Sequence, residues 1–324
     1  MSATNQPISH LAMNQDVYHI PALLPQTIGA LDIRPAGTYV DATYGGGGHS
    51  AAILAALGPH GHLYGFDQDE DAVRRAPAKD DPRFTMVYSN FRYLSNFMDY
   101  YGVDGVDGVL ADLGVSFHHF DDPSRGFSFR WDGALDMRMN RRGGRSAAQL
   151  LATASTEELT RLLRLYGELR QAPRLARAIA EARTHGPVDT VEALRAVAEP
   201  LLNPRQQKKE MAQLFQALRI EVNDELGALR ALLNQALQVL RPGGRLAIIT
   251  YHSLEDRLVK NFMRTGNLDG NENKDFYGRT LAPMRLLNSK PIVPDEAEVE
   301  ANPRSRSAKL RVAVKLDTPN SSES

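Results

Sequence analysis

Thr38-Tyr39-Val40-Asp41-Ala42-Thr43-Tyr44-Gly45-Gly46-Gly47-Gly48-His49-Ser50 is the stretch on which the fold turns. Thr38, Tyr39 and Val40 favour extended backbone and read as a short buried strand. Asp41 closes it, four glycines follow, and Ala51 to Leu57 reads as a helix stopped by Gly58-Pro59. A strand, a glycine turn and a helix start make a nucleotide-type site. Glycines let a ligand approach the backbone, and the helix start offers unpaired N–H groups.

The type of nucleotide follows by exclusion. The dinucleotide fingerprint needs a third glycine where Ser50 stands, and a phosphate loop needs a lysine where His49 stands. A nicotinamide enzyme therefore fails at Ser50. Asp41 beside the glycines suits a ligand with a positive end, such as the amino group or sulfonium of S-adenosylmethionine. A second strand, Gly61 to Phe66, ends in Asp67, twenty residues after Gly47. An acid there can accept from both ribose hydroxyls.

Outward from this stretch, strands are expected at Phe84–Tyr88 and Val106–Leu110, with helices between them. Asp69 is placed to cap one helix. The β-α-β alternation implies a parallel sheet with helices on both faces and a ligand site beyond the strand ends. Asp41, Asp67, Phe91 and Asp112 all fall there. Phe91 reads equally as an adenine-stacking ring and as a core aromatic. The sheet resumes at Leu246–Thr250, ending in Tyr251-His252-Ser253, and closes with Ser307–Leu316. Thr265–Ala301 reads as polar loop.

Between these halves the pattern breaks. His118 to Arg145 has no clear period and holds Phe120, Phe127, Phe129 and Trp131 among Arg125, Arg130, Arg138, Arg141, Arg142 and Arg145. Amphipathic helices follow, near 146–151, 156–166, 173–183 and 190–201. Ser155 with Glu158 forms a capping box, and Asp189 with Glu192 resembles one. Residues 121–209 carry sixteen Lys/Arg against eleven Asp/Glu, so this helical insertion is the basic part of a chain whose net charge is -1.

The 324 residues allow one large or two ordinary domains. The absence of cysteine excludes disulfides and thiolate metal sites and fits a reducing cytoplasm. No apolar run approaches the ~20 residues of a membrane span. Met1–Asp16 is polar without an apolar signal core, and 1–16 and 317–324 read as mobile tails.

These motifs resemble one family, the bacterial small-subunit ribosomal RNA cytosine-N4 methyltransferases (RsmH, formerly MraW). The resemblance rests on Asp41 to Ser50, Asp112-Leu-Gly-Val-Ser116, Asp122-Pro-x-Arg125-Gly-Phe-Ser-Phe129 and Asp136-Met-Arg138-Met. It continues through Phe215 to Ile220 with Val222 to Leu226, His252-Ser-Leu-Glu-Asp-Arg257 and Asn302-Pro-Arg-Ser-Arg306-Ser. It implies an α/β, Rossmann-like, seven-stranded class I methyltransferase sheet with an inserted all-helical domain. The expected division is 1–118, an RNA-recognition insertion at 119–209, and 210–324. It further implies S-adenosylmethionine held by Gly47, Gly48, His49, Asp67, Phe91, Asp112 and His119. The substrate implied is the N4 amine of a cytidine in the decoding region of 16S ribosomal RNA, free or in the small subunit. The chain departs from the family at His119, where glutamine is usual, at Leu214 in place of threonine, and at Pro173 in place of lysine.

Cytosine N4 is a poor nucleophile because its lone pair is delocalised into the ring. Placement is then the main task, helped by an acceptor for the N4–H. Asp112 is the candidate for that catalytic role; holding the cofactor's amino group is the other reading of the same residue. His252 and Ser253 could line a base pocket, or Ser253 could cap the next helix. The Phe127, Phe129 and Trp131 cluster could stack bases, as a flipped base requires, or pin the loop to the core. His118-His119 near Asp121-Asp122 is a weak metal pattern, and no metal is expected. No DNA or membrane partner is expected, and the oligomeric state is open, a homodimer included. The rival functions are a small-molecule or protein methyltransferase and a non-enzymatic assembly factor.

Overall fold

The computed structural model describes residues 21–115, 120, 122–274, 276–277 and 281–317. The tails and the pair His118-His119 lie outside the described residues. Seven strands form one sheet in the order β3-β2-β1-β4-β5-β7-β6. They are β1 (Thr38–Asp41), β2 (His62–Asp67), β3 (Phe84–Tyr88), β4 (Val106–Asp112), β5 (Leu240–Thr250), β6 (Met284–Leu286) and β7 (Lys309–Lys315). The first five pair in parallel, whereas β7 runs antiparallel to both β5 and β6. This is the expected α/β class. β6 is missed by the sequence pattern because three residues with one buried side chain carry no period.

The strands are apolar on both faces because helices cover both. Tyr39, Leu63, Leu110, Ile249 and Leu310 pack with Leu31 of α1 (Leu24–Leu31) and Ile53 of α2 (Gly48–Ala56). Their neighbours Val40, Phe66, Val109 and Ile248 face the other way. There they meet Leu94 and Met98 of α4 (Leu94–Tyr100), which follows the short α3 (Glu70–Arg74).

A second core lies outside the sheet. Its helices are α5 (Ala147–Thr153), α6 (Thr156–Leu165), α7 (Ala172–His185) and α8 (Val191–Ala198). Leu159, Leu162 and Leu163, spaced on one helical face, are all buried in it. The Ser155–Glu158 capping box is present, and α5 has another, Ser146 with Gln149. At α8 the cap is Thr190, whose hydroxyl accepts from Ala193 N–H, so Asp189 is not the capping residue. The next helix, α9 (Gln207–Asn223), runs across position 209 and buries Met211, Leu214 and Phe215 in the helical core. It leads into α10 (Glu225–Val239), which packs on the sheet. The rest is α11 (Ser253–Thr265) and α12 (Glu296–Ala301). Among the described residues no helix is long and apolar enough to cross a membrane.

Candidate active site

The parallel register brings the carboxyl ends of β2, β1, β4 and β5 side by side: Asp41 aligns with Gly65 and Leu110, and Asp112 with Ile249. Side chains then lock the tips together. Asp41 accepts from Ser50 Oγ at 2.7 Å and from Thr43 N–H at 3.1 Å, and it is fully buried. Burial raises its pKa, against these bonds. With an oxygen on Thr43 and the other on Ser50, Asp41 holds the turn onto α2.

Asp67 accepts from Gly45 N–H and Asp69 N–H, both at 2.8 Å, so it fastens the glycine turn to the next strand tip. Burial pushes its pKa up to about 6. Asp112 receives more varied company. Tyr251 Oη donates to Asp112 Oδ1 at 2.8 Å, and His49 Nδ1 lies 3.7 Å from Oδ2. Its own N–H donates to Thr43 Oγ1 at 2.6 Å. Burial pushes the Asp112 pKa up to about 6, partly offset by His49 and Tyr251. Burial lowers that of His49, whose Nε2 is 3.2 Å from the Ala22 carbonyl. The neutral ring then carries its hydrogen on Nε2 and turns a lone pair towards Asp112.

The helix start at the turn has no side-chain cap: its N-cap is Gly47, in the left-handed region at φ 77°. Its first N–H groups suit a carboxylate. A Cβ at Gly47 would stand 2.6 Å from Tyr44 Oη, so the glycine is required on steric as well as conformational grounds. The donors and acids here fit an amino-acid nucleoside: N–H groups at α2, Asp67 one strand away, Asp112 on the other side. Phe91, half-buried, begins the 3₁₀ turn after β3 and packs on the core beneath it. His119 lies outside the described residues.

A family model described as the MraW methylase family matches residues 16–316. The chain belongs to this family. Three relatives carry the name Ribosomal RNA small subunit methyltransferase H. That of Parabacteroides distasonis is 58% identical over 300 residues, covering 92% of this chain and 98% of its own. That of Bacteroides thetaiotaomicron is 56% identical, covering 92% and 97%. That of Porphyromonas gingivalis is 53% identical, covering 95% and 100%.

In this member of the family the remaining motifs stitch the helical core to the sheet. Arg125 is wholly buried, with Nη1 3.3 Å from Asp69 Oδ2 and Nη2 donating to the carbonyls of Arg138 and Met139. It is a buried strut between the two parts. Arg138 is held by Asp136, and Arg142 by Glu70 and the Tyr88 ring. Arg130, Arg141 and Arg145 are exposed. Phe127 is buried and Phe129 packs on Phe215, so both pin the loop, while Trp131 is 57% exposed. Asn223 donates to the Met137 carbonyl and accepts from Met139 N–H.

At the end of β5, His252 caps α11 by accepting from Glu255 N–H, and Ser253 Oγ donates to Glu168 instead. Ligand atoms of Glu225, His252 and Glu255 lie within 4.8 Å of one another. Arg219 grips Glu225 with two bonds of 2.7 and 2.9 Å, so the charge there is met by the protein's own cation. Tyr251 is the residue that sequence reasoning passed over. The only signal for it was its place at a strand end, and its relation to Asp112 needed the strand order.

Proposed function

We propose that this chain uses S-adenosylmethionine to methylate the exocyclic N4 amine of a cytidine in the decoding region of 16S ribosomal RNA. The observation that carries the reading is the cradle of Gly47, Asp67 and Asp112 in a chain of the MraW methylase family. The relatives' name supports ribosomal RNA of the small subunit as the substrate. The inserted helical part, with exposed Trp131, Arg130, Arg141 and Arg145, supports an RNA-recognition role for it.

In this reading the N–H groups of Gly48 and His49, behind Gly47, hold the carboxylate of the cofactor. Asp67 takes the ribose, and Phe91 and His119 complete the nucleoside contacts. S-adenosylmethionine supplies an electrophilic methyl group. Asp112 accepts a hydrogen from the cytosine amine and returns electron density to nitrogen, a charge-assisted bond worth about 1.5–3 kcal/mol. As the amine gains the methyl group, its proton would pass to the Asp112 carboxylate. At neutral pH an Asp112 group with pKa about 6 is mostly ionised, as this role demands.

The test is transfer of labelled methyl to small subunits from cells lacking the protein, with nucleoside mass spectrometry of the product. N4-methylcytidine is expected with the native chain. An Asp112→Ala variant that binds cofactor but transfers no methyl would support the enzyme reading. Full transfer by that variant would refute the role of Asp112.

A further inference from the structure

We propose that Tyr251 is a positioning residue for methyl transfer: its phenol fixes the orientation of the Asp112 carboxylate and keeps it ionised. The inference rests on the reading of Asp112 as the acceptor for the base amine.

The geometry is specific. Tyr251 directly follows β5 and Asp112 ends β4, adjacent strands whose register sets Asp112 against Ile249. Leu113 N–H donates to the Ile249 carbonyl at 2.9 Å, which carries this pairing past the strand end. The Tyr251 ring lies over Gly114, where a Cβ would come within 3.2 Å of the ring. The ring is fixed from behind as well, because Tyr251 N–H donates to Glu255 Oε2 at 3.0 Å. Glu255 is paired with His252 at 3.1 Å. The phenol therefore points to one oxygen, Asp112 Oδ1, and leaves Oδ2 turned towards His49.

The groups that bear on Asp112 come from four elements. Asp41 of β1 and Glu255 of α11 oppose its charge, whereas Tyr251 favours it, as His49 of α2 does only when protonated. His49 is itself held neutral by burial. The phenol O–H is therefore the direct donor to this carboxylate among the described side chains. A donor to the charged form lowers an acid's pKa, so its removal must raise it. A phenol also does something a water could not: it cannot move off when substrate enters, so the acceptor stays aimed.

The experiment compares the pH dependence of single-turnover methyl transfer to small subunits for wild type, Tyr251→Phe and Asp112→Asn. Affinity for S-adenosylhomocysteine is measured in parallel. Tyr251→Phe is expected to bind S-adenosylhomocysteine within a few-fold of wild type at high pH. Its acid limb should move to higher pH by about 1–2 units, the size of a hydrogen bond to a charged group. Site-specific 3-fluorotyrosine at 251, a stronger donor that keeps the ring, should move the limb the opposite way. A purely structural role would lower yield or melting temperature and leave both midpoints where they were, which would overturn the proposal. If Asp112→Asn transfers methyl at the wild-type rate, the acceptor reading itself falls and this inference with it. If Asp112→Asn is inactive but Tyr251→Phe matches wild type at every pH, only the inference falls.

Discussion

Arg125 reaches across from the helical core to Asp69, 3.3 Å away, and Asp69 is the residue that caps α3 just behind the Asp67 strand tip. A guanidinium with no exposed surface thus ties the inserted part to the wall of the candidate cofactor site. Asp71 Oδ2 lies 3.6 Å from the same nitrogen, and two loop carbonyls accept from the other. Removing the cation takes a buried donor away from Asp69 and from two loop carbonyls, which costs about 3–5 kcal/mol. Arg125→Met is expected to lose stability of that order in urea denaturation and to expose residues near 126–139 to protease. A loss under about 1 kcal/mol, the ordinary surface value, would show that the strut is dispensable.

Asp112 should make the protein less stable as pH rises. Its folded pKa of about 6 stands above the ordinary 3.8. The folded chain therefore binds this proton more tightly than the unfolded one. Its contribution is fully present below about pH 4 and is given up as pH climbs to about 6. Asp112→Asn can still accept from Tyr251 and donate towards His49, without a buried charge. It should be more stable than wild type by about 1–3 kcal/mol near pH 7 and equal to it near pH 4. Melting curves at the two pH values decide the matter; equal curves at both would refute it.

Gly47→Ala should damage cofactor binding more than folding. The residue adopts φ 77°, where an L side chain costs about 1–2 kcal/mol, and its Cβ would press on Tyr44 Oη. The turn must shift to relieve this, and the helix start shifts with it. Calorimetry should show S-adenosylhomocysteine affinity falling by about tenfold or more, as 1.4 kcal/mol implies. Unchanged affinity would mean that the turn does not shape the ligand site.

Arg141 and Arg145 are exposed, as is Trp131 ten residues before Arg141 in the chain. If RNA runs over this surface, Arg141→Gln with Arg145→Gln should lower the slope of log affinity against log salt by about 1.4, at roughly 0.7 per phosphate on single strands. Stability should change by less than about 0.5 kcal/mol. Trp131→Ala should cost about 1–3 kcal/mol of RNA affinity, the worth of one stacked base, with little change in salt slope. Filter binding of ribosomal RNA across a salt series separates the two effects, and variants with wild-type slopes and affinities would place the RNA elsewhere.

What the chain by itself determined is local and periodic. The glycine turn between Val40 and Ser50, the apolar strands, the Asp69 cap and the Ser155–Glu158 box were all legible, because each depends on near neighbours. So were the acids at the strand tips, since each stands where a strand pattern stops. Tertiary structure decided what each of those acids meets. Asp41 accepts from Ser50 and Thr43, while Asp112 keeps an oxygen towards His49 and gains a phenol from a residue 139 positions away. It also decided that Arg125 is a buried strut whereas Arg141 and Arg145 face water. The cause is the same in each case: a side chain's charge and hydrogen bonds depend on what crosses it in space. Strand order and helix docking set those crossings, and no run of neighbours in sequence records them.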